Sequence, residues 1–208
     1  NKISLRCLQL VWLVSLVSCG PIDRNEQVDE GSVAGNVYTS DAIGWTIEIP
    51  SGLTVVSRNQ IEESNERGRD YFEETVGEDF STKQIRYLIN FRKDMFNSFV
   101  STSEQMNVAE QQDYAALKDN VKTVMCETYK KNDVQFNVTD TETVEIGGLE
   151  FSTFQFHVHG PGGEVLLTQR MYNRLIDGKD FSVAISYNDQ ACGDAMLTAW
   201  KNSKFKKK

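Results

Sequence analysis

Glycine-containing turns divide the second half of the chain into short segments. The positions of these turns limit the fold more than any other sequence feature. Gly147-Gly148, residues 160–163 (GPGG) and Asp177-Gly178 separate segments rich in β-branched and aromatic residues. Gly-Gly and Asp-Gly connections are typical of antiparallel hairpins, because they adopt the positive φ angles that tight hairpin turns need. We therefore predict a four-stranded antiparallel meander. Its strands are expected over residues 141–146, 149–158, 165–176 and 181–187.

Two other segments have helical periodicity. Residues 113–130 place an apolar stripe on one helix face, with Cys126 off that stripe on the polar side. The stripe consists of Tyr114, Leu117, Val121, Val124, Met125 and Thr128. Residues 191–202 predict a final helix with its apolar side facing inward. That side consists of Ala195, Met196, Ala199 and Trp200.

The first half of the chain adds further strands. Residues 37–39 and 44–49 indicate a hairpin that Pro50 ends, and residues 85–92 and 97–103 are also β-like. An acidic segment with weak apolar periodicity, residues 58–79, lies between this hairpin and the strand over residues 85–92. The order of elements predicts an α+β fold, in which an antiparallel sheet of about six to eight strands is flanked by helices. We expect one domain over residues 37–208.

Several short motifs within this order resemble a known superfamily. Residues 44–53 (GWTIEIPSGL) look like its opening strand and turn, and residues 146–151, 177–181 and 200–205 resemble later hairpins and its end. This superfamily includes the photosystem subunit PsbP, the Mog-type Ran-binding proteins and the DcrB-like bacterial lipoproteins. The resemblance implies a PsbP/Mog-like α/β sandwich that binds or stabilises a partner rather than catalysing a reaction.

The first 18 residues have the features of a bacterial export signal. Lys2 and Arg6 precede an apolar run from Leu8 to Val17, which is too short to span a bilayer as a mature helix. At its end, residues 16–20 (LVSCG) resemble the lipobox of bacterial lipoproteins. This resemblance implies that Cys19 is acylated and anchors the mature protein to a membrane of the cell envelope. Gly20 lacks the acidic character that retains some lipoproteins at the inner membrane, which favours the outer membrane.

Residues 20–36 are polar and small, so we expect residues 19–36 to be a lipidated cysteine with a flexible tether. Removal of the leader leaves 20 basic against 30 acidic residues. Such an acidic chain repels nucleic acid, which excludes it as an expected partner.

Two cysteines remain beyond the leader and the lipidation site. Cys126 and Cys192 form an even pair in an oxidising compartment, so they are a candidate disulfide. Two separate, partly buried thiols and a redox-active pair are the alternatives. A Cys-x-x-Cys motif is absent from the sequence, which disfavours redox chemistry.

His157 and His159 are the only histidines. The alternation of a strand puts both imidazoles on one face, opposite Phe154, Phe156 and Val158. They are candidate metal ligands, although a site needs further ligands from a neighbouring strand. The alternative is two polar residues on the more hydrated face of an antiparallel strand.

The sequence has no recognisable catalytic constellation. It contains no Gly-x-Ser-x-Gly motif, and neither histidine lies in a context that indicates a general base. We therefore expect a non-catalytic, membrane-anchored envelope lipoprotein that needs no cofactor and binds a protein or a small molecule. A metal-dependent factor that uses His157 and His159 is the alternative.

Overall fold

The computed structural model describes residues 23–63 and 85–206. Within them, twelve strands form two antiparallel sheets, accompanied by three helices with described bounds and a short 3-10 helix. The predicted α+β fold with a large antiparallel sheet and flanking helices is confirmed. The leader, Cys19 and most of the acidic segment lie outside the described residues.

The smaller sheet has four strands in the order β1-β2-β3-β12. Its strands are β1 (Ser32–Ala34), β2 (Val37–Ser40), β3 (Trp45–Glu48) and β12 (Lys204–Phe205). The expected N-terminal hairpin is therefore present as β2 and β3, with Tyr38 opposite Ile47. It belongs to this second sheet and not to the larger one.

The larger sheet has eight strands in the order β4-β5-β6-β11-β10-β9-β7, with β8 also paired to β9. The first four are β4 (Thr54–Val55), β5 (Ile85–Arg92), β6 (Ser98–Gln105) and β7 (Gln135–Val138). The others are β8 (Glu142–Ile146), β9 (Leu149–His159), β10 (Val165–Ile176) and β11 (Lys179–Tyr187).

The predicted meander is present as β8 to β11. At the last hairpin Ile176 pairs with Lys179, so Asp177 and Gly178 form a two-residue turn with φ angles of 51° and 73°. Positive φ at both positions is what a type I′ turn requires. This agreement explains why the turn residues located the hairpin from sequence.

One face of the large sheet, the inner face, packs against the small sheet and α3 (Gln190–Lys201). The core there is aromatic: the ring of Trp200 lies 6.0 Å from Trp45 and 5.1 Å from Phe151. Met196 and Trp200 are fully buried, as the periodicity predicts. The side chains of Phe181, Val183 and Ile185 point to this face from β11.

The opposite, outer face is crossed by α2 (Tyr114–Lys131), which follows the one-turn helix α1 (Val108–Gln112). Tyr114 and Lys118 of α2 both bond to Asp180, whose position on β11 alternates with the inward-facing residues. The two long helices therefore lie on opposite faces of the sheet.

Residues 23–36 require a correction to the expected tether. They contain a 3-10 helix (Arg24–Gln27) and β1, and Val28 and Val33 are buried members of the core. The Asn25 side chain both accepts from the Val33 amide at 2.7 Å and donates to its carbonyl at 3.2 Å. These contacts tie the segment to the domain, so the folded body includes Asp23.

None of the helices in the described ranges is long and apolar enough to span a membrane.

Candidate functional site

The two cysteines occur as free thiols on different helices. Cys126 lies on α2 and is half-buried, and Cys192 lies in the first turn of α3 and is buried. The structure therefore corresponds to the alternative of two separate thiols and not to the candidate disulfide. The two helices occupy opposite faces of the large sheet, so the sheet lies between them. Burial raises the pKa of the Cys192 thiol, and the nearby Asp189 carboxylate adds to this shift.

His157 belongs to a chain of hydrogen bonds along β9 and β10. Arg170 donates from Nε to Gln155 Oε1 at 2.7 Å, which fixes the orientation of the Gln155 amide. The amide nitrogen of Gln155 then faces His157 Nε2 at 2.6 Å, and His157 Nδ1 faces the hydroxyl of Thr168 at 3.3 Å. Because an amide nitrogen can only donate, His157 Nε2 accepts and the ring proton lies on Nδ1.

His159 has the same tautomer with different partners. The side-chain amide of Asn137 lies 3.1 Å from His159 Nε2, and the carbonyl of Gly163 lies 3.1 Å from Nδ1. A carbonyl can only accept, so the Nδ1 of His159 carries its proton. In both histidines an amide therefore occupies Nε2, the unprotonated nitrogen of this tautomer.

Within residues 23–63 and 85–206, no group of three His, Cys, Asp or Glu side chains is placed to hold a metal ion. The two imidazoles thus belong to the hydrogen-bonding network of the sheet.

A cleft of about 550 Å³ lies on the inner face beside this network. Strand register places its polar residues, because residues that pair directly across antiparallel strands share a face. Glu142 pairs with Thr153, Thr153 pairs with Tyr172, and Gln155 pairs with Arg170. These five side chains therefore lie on one surface that spans β8, β9 and β10. Lys201, at the end of α3, contributes to the lining.

Of the four charged residues that line the cleft, Arg170 is the one that is not exposed. It is half-buried, and no carboxylate of the described residues forms an ion pair with it. Its Nε is bonded to Gln155, and its guanidinium also lies beside the Tyr172 hydroxyl, so the guanidinium plane is held from two sides. Lys201 adds a second, exposed positive charge, whereas the β8 wall carries two exposed acids, Glu142 on the same face and Glu145.

Two hydroxyl groups of the cleft are buried. Tyr172 is 2% exposed, and its burial raises the pKa of its hydroxyl, although the neighbouring Arg170 opposes that shift. Thr153 is 8% exposed, and its Oγ1 has no hydrogen-bond partner among the described residues. A buried hydroxyl without a partner destabilises a protein, so it marks a place where packing has not been optimised for stability alone.

Sequence reasoning identified His157 but not the cleft beside it. The signal that would have found it is the alternation of polar residues at Thr153, Gln155 and His157, interleaved with Phe154 and Phe156. Such alternation indicates a strand with one hydrated face, but only the register with β10 shows that Arg170 lies next to Gln155.

Comparison with known proteins identifies the fold class. The chain has a PsbP-like fold. Its structure is similar to the solution structure of cyanobacterial PsbP (CyanoP) from Synechocystis sp. PCC 6803, with a TM-score of 0.53 and 13% sequence identity. The match covers 85% of this chain and 98% of that chain. No protein-family model and no curated protein matches the sequence. The PsbP-like part of the resemblance is confirmed as a fold, whereas the lipoprotein part stays a prediction.

Proposed function

We propose that this protein is a lipid-anchored, non-catalytic binding module of the bacterial cell envelope. The observation that carries the proposal is the sequence Leu16-Val17-Ser18-Cys19-Gly20 at the end of a short apolar run. Acyl chains on Cys19 would hold the protein at a membrane, since each buried methylene contributes about 0.8 kcal/mol. Gly20 favours the outer membrane as its location.

The binding role is supported by the resemblance to a superfamily of accessory proteins and by the cleft on the inner face. The cleft combines a half-buried cation with buried hydroxyl groups, and its volume of about 550 Å³ suits a small molecule or a side chain of a partner.

Anchoring is tested by intact-mass analysis of the protein purified from its native envelope, together with detergent-phase partition. We expect the mass of a chain that begins at Cys19 and carries acyl groups, and recovery in the detergent phase. Cys19→Ala should abolish both results, whereas the control Cys126→Ala should change neither. An unmodified sulfur at Cys19 in the native protein would refute the proposal.

Binding is tested by photo-crosslinking in intact cells. A photoreactive side chain replaces Lys201 at the rim of the cleft, or Lys130, which is exposed on α2 at the outer face. We expect a specific adduct, resolved by mass, from position 201 and none from position 130. Identical products from both positions would count against the cleft as the binding surface.

A metal-dependent function of His157 and His159 is the competing hypothesis. Because amides of Gln155 and Asn137 occupy both Nε2 atoms, we expect no histidine-dependent zinc binding at micromolar concentration. Zinc is titrated into the wild-type protein and into the double variant His157→Ala/His159→Ala. Affinity that vanishes in the double variant would favour the metal-dependent hypothesis.

A further inference from the structure

We infer that the cleft binds a small, singly charged carboxylate, and that Arg170 is the group that binds it. This inference rests on the proposed function as a binding module and names the chemical class of its ligand. Three properties of the described residues carry it: the charge of Arg170, its fixed orientation and the opposing charge of Glu142.

The charge comes first. Half-burial withdraws part of the hydration of the Arg170 guanidinium, and the described residues supply no carboxylate to replace it. A partly desolvated cation without an acidic partner attracts an anion more strongly than an exposed one, because water screens the interaction less. Lys201 at the rim adds to the same field.

The orientation comes second. The hydrogen bond from Nε to Gln155 Oε1 at 2.7 Å holds the guanidinium plane, and Gln155 is itself held by His157. Gln155 is only 9% exposed, so this support is shielded from water. A fixed guanidinium can present its two terminal amino groups as a fork, which matches the two oxygens of a carboxylate.

The third property is the negative charge on the β8 side of the cleft. Glu142 lies on the same face of β8, in register with Thr153, and it lines the cleft together with Glu145. These carboxylates would repel a dianion such as phosphate more strongly than a ligand with a single negative charge. The half-buried side chain of Val144 on the same wall provides an apolar surface for the body of the ligand.

The test titrates three small probes into the full-length protein in mild detergent: butyrate, its neutral isostere butyramide, and inorganic phosphate. Binding is followed by the NMR shifts of the Arg170 Nε–H and the Thr153 amide. We expect butyrate to bind at least about tenfold more tightly than butyramide and more tightly than phosphate, since one charge-assisted hydrogen-bond pair supplies more than 1.4 kcal/mol. Equal affinity for butyrate and butyramide, or tighter binding of phosphate, would overturn the inference.

The variant Arg170→Met keeps the length of the side chain and removes its charge. It should lose butyrate binding, and Arg170→Lys should retain only part of it because the fork is lost. The matched control is Arg174→Met, four residues along the same strand, where the side chain instead donates to the carbonyl of Glu150. Binding that persists in Arg170→Met, or that is lost equally in Arg174→Met, contradicts the assignment.

The result does not depend on anchoring. Intact-mass analysis of the same preparation reports the state of Cys19 separately from the titration. A lipidated protein that fails to discriminate butyrate from butyramide overturns this inference alone. An unlipidated protein with an Arg170-dependent butyrate site overturns the anchoring and leaves the ligand class standing.

Discussion

The two faces of the large sheet are covered by helices of opposite character. Helix α3 has 12 residues and buries five of them on the inner face, whereas α2 has 18 residues and buries none on the outer face. The contacts differ in kind as well. Rings of Trp45, Phe151 and Tyr172 surround Trp200, while α2 touches the sheet largely through polar groups of Tyr114, Lys118 and Tyr129.

The length of a helix therefore does not measure its contribution to the free energy of unfolding. Stability follows the apolar area removed from water, and α3 removes more of it with fewer residues. Helix α2 is held by hydrogen bonds and one partly buried ion pair. These contribute less to the free energy of unfolding, because the same polar groups bind water in the unfolded chain. We therefore expect α3 to unfold with the core, and α2 to open more easily.

The largest test of this comparison is the removal of Trp200. We expect Trp200→Ala to lower the free energy of unfolding by about 3–5 kcal/mol, because it empties the centre of the aromatic core. The control Tyr129→Ala removes the ring of α2 that contacts Phe136 and Phe156. It should cost about 1–2 kcal/mol, since the ring is only half-buried. Urea denaturation measures both, and equal losses would break the comparison.

The cysteines test the same contrast in the unaltered protein, since each long helix carries one. We expect iodoacetamide to modify Cys126 at least about 100-fold faster than Cys192, a difference of about 2.7 kcal/mol. Cys192 is 8% exposed and its thiol pKa is raised, so it reacts only when the core opens. Time-resolved peptide mass spectrometry separates the two sites. Similar rates would show that α3 opens as easily as α2.

The ion pair beneath α2 is the next test. Lys118 and Asp180 are 15% and 11% exposed, so Asp180→Asn leaves a poorly hydrated cation. We expect a loss of about 2 kcal/mol, below the 3–5 kcal/mol of a fully buried pair, because water still reaches it. A double-mutant cycle with Lys118→Met isolates the interaction energy between Lys118 and Asp180 from the other effects of the two substitutions. A coupling energy near zero would show that the ion pair does not stabilise the protein.

The smallest test compares hydroxyl groups on the two faces. On the inner face, Thr153→Val removes a hydroxyl that has no partner among the described residues, so the free energy of unfolding should rise by up to about 1 kcal/mol. On the outer face, Tyr114→Phe removes a donor to Asp180 at 2.8 Å and should lower it by about 1 kcal/mol. Thermal unfolding of both variants checks the two signs. A loss in Thr153→Val would show that its hydroxyl has a stabilising role.

Local turn chemistry made much of the fold predictable. The Asp177-Gly178 turn fixes a register by itself, and the strands on either side follow from it. The predicted bounds of the longest helix, residues 113–130, differ from those of α2 by one residue at each end. Strands of two or three residues, such as β1, β4 and β12, are too short to have a period and were missed.

The packing of α2 could not be predicted in the same way. Its apolar stripe includes Val121, which is 42% exposed, whereas Lys118 and Lys122 bond to the sheet. The contacting side is rotated from the stripe because the outer face offers Asp180 and the Thr139 carbonyl as partners. That choice depends on residues far along the chain. The cleft was missed for the same reason, since it requires the register of three strands.

Because the folded body begins close to Cys19, only a short stretch of chain can separate it from a membrane. Asp23 caps the first 3-10 helix and lies four residues after Cys19, so the chain between them can extend at most about 14 Å. With acyl chains on Cys19, as proposed, the domain cannot rise farther than this from the lipid head groups. Its search for a ligand is then confined to a thin layer and proceeds by lateral diffusion in two dimensions. Only molecules that enter this layer can meet it.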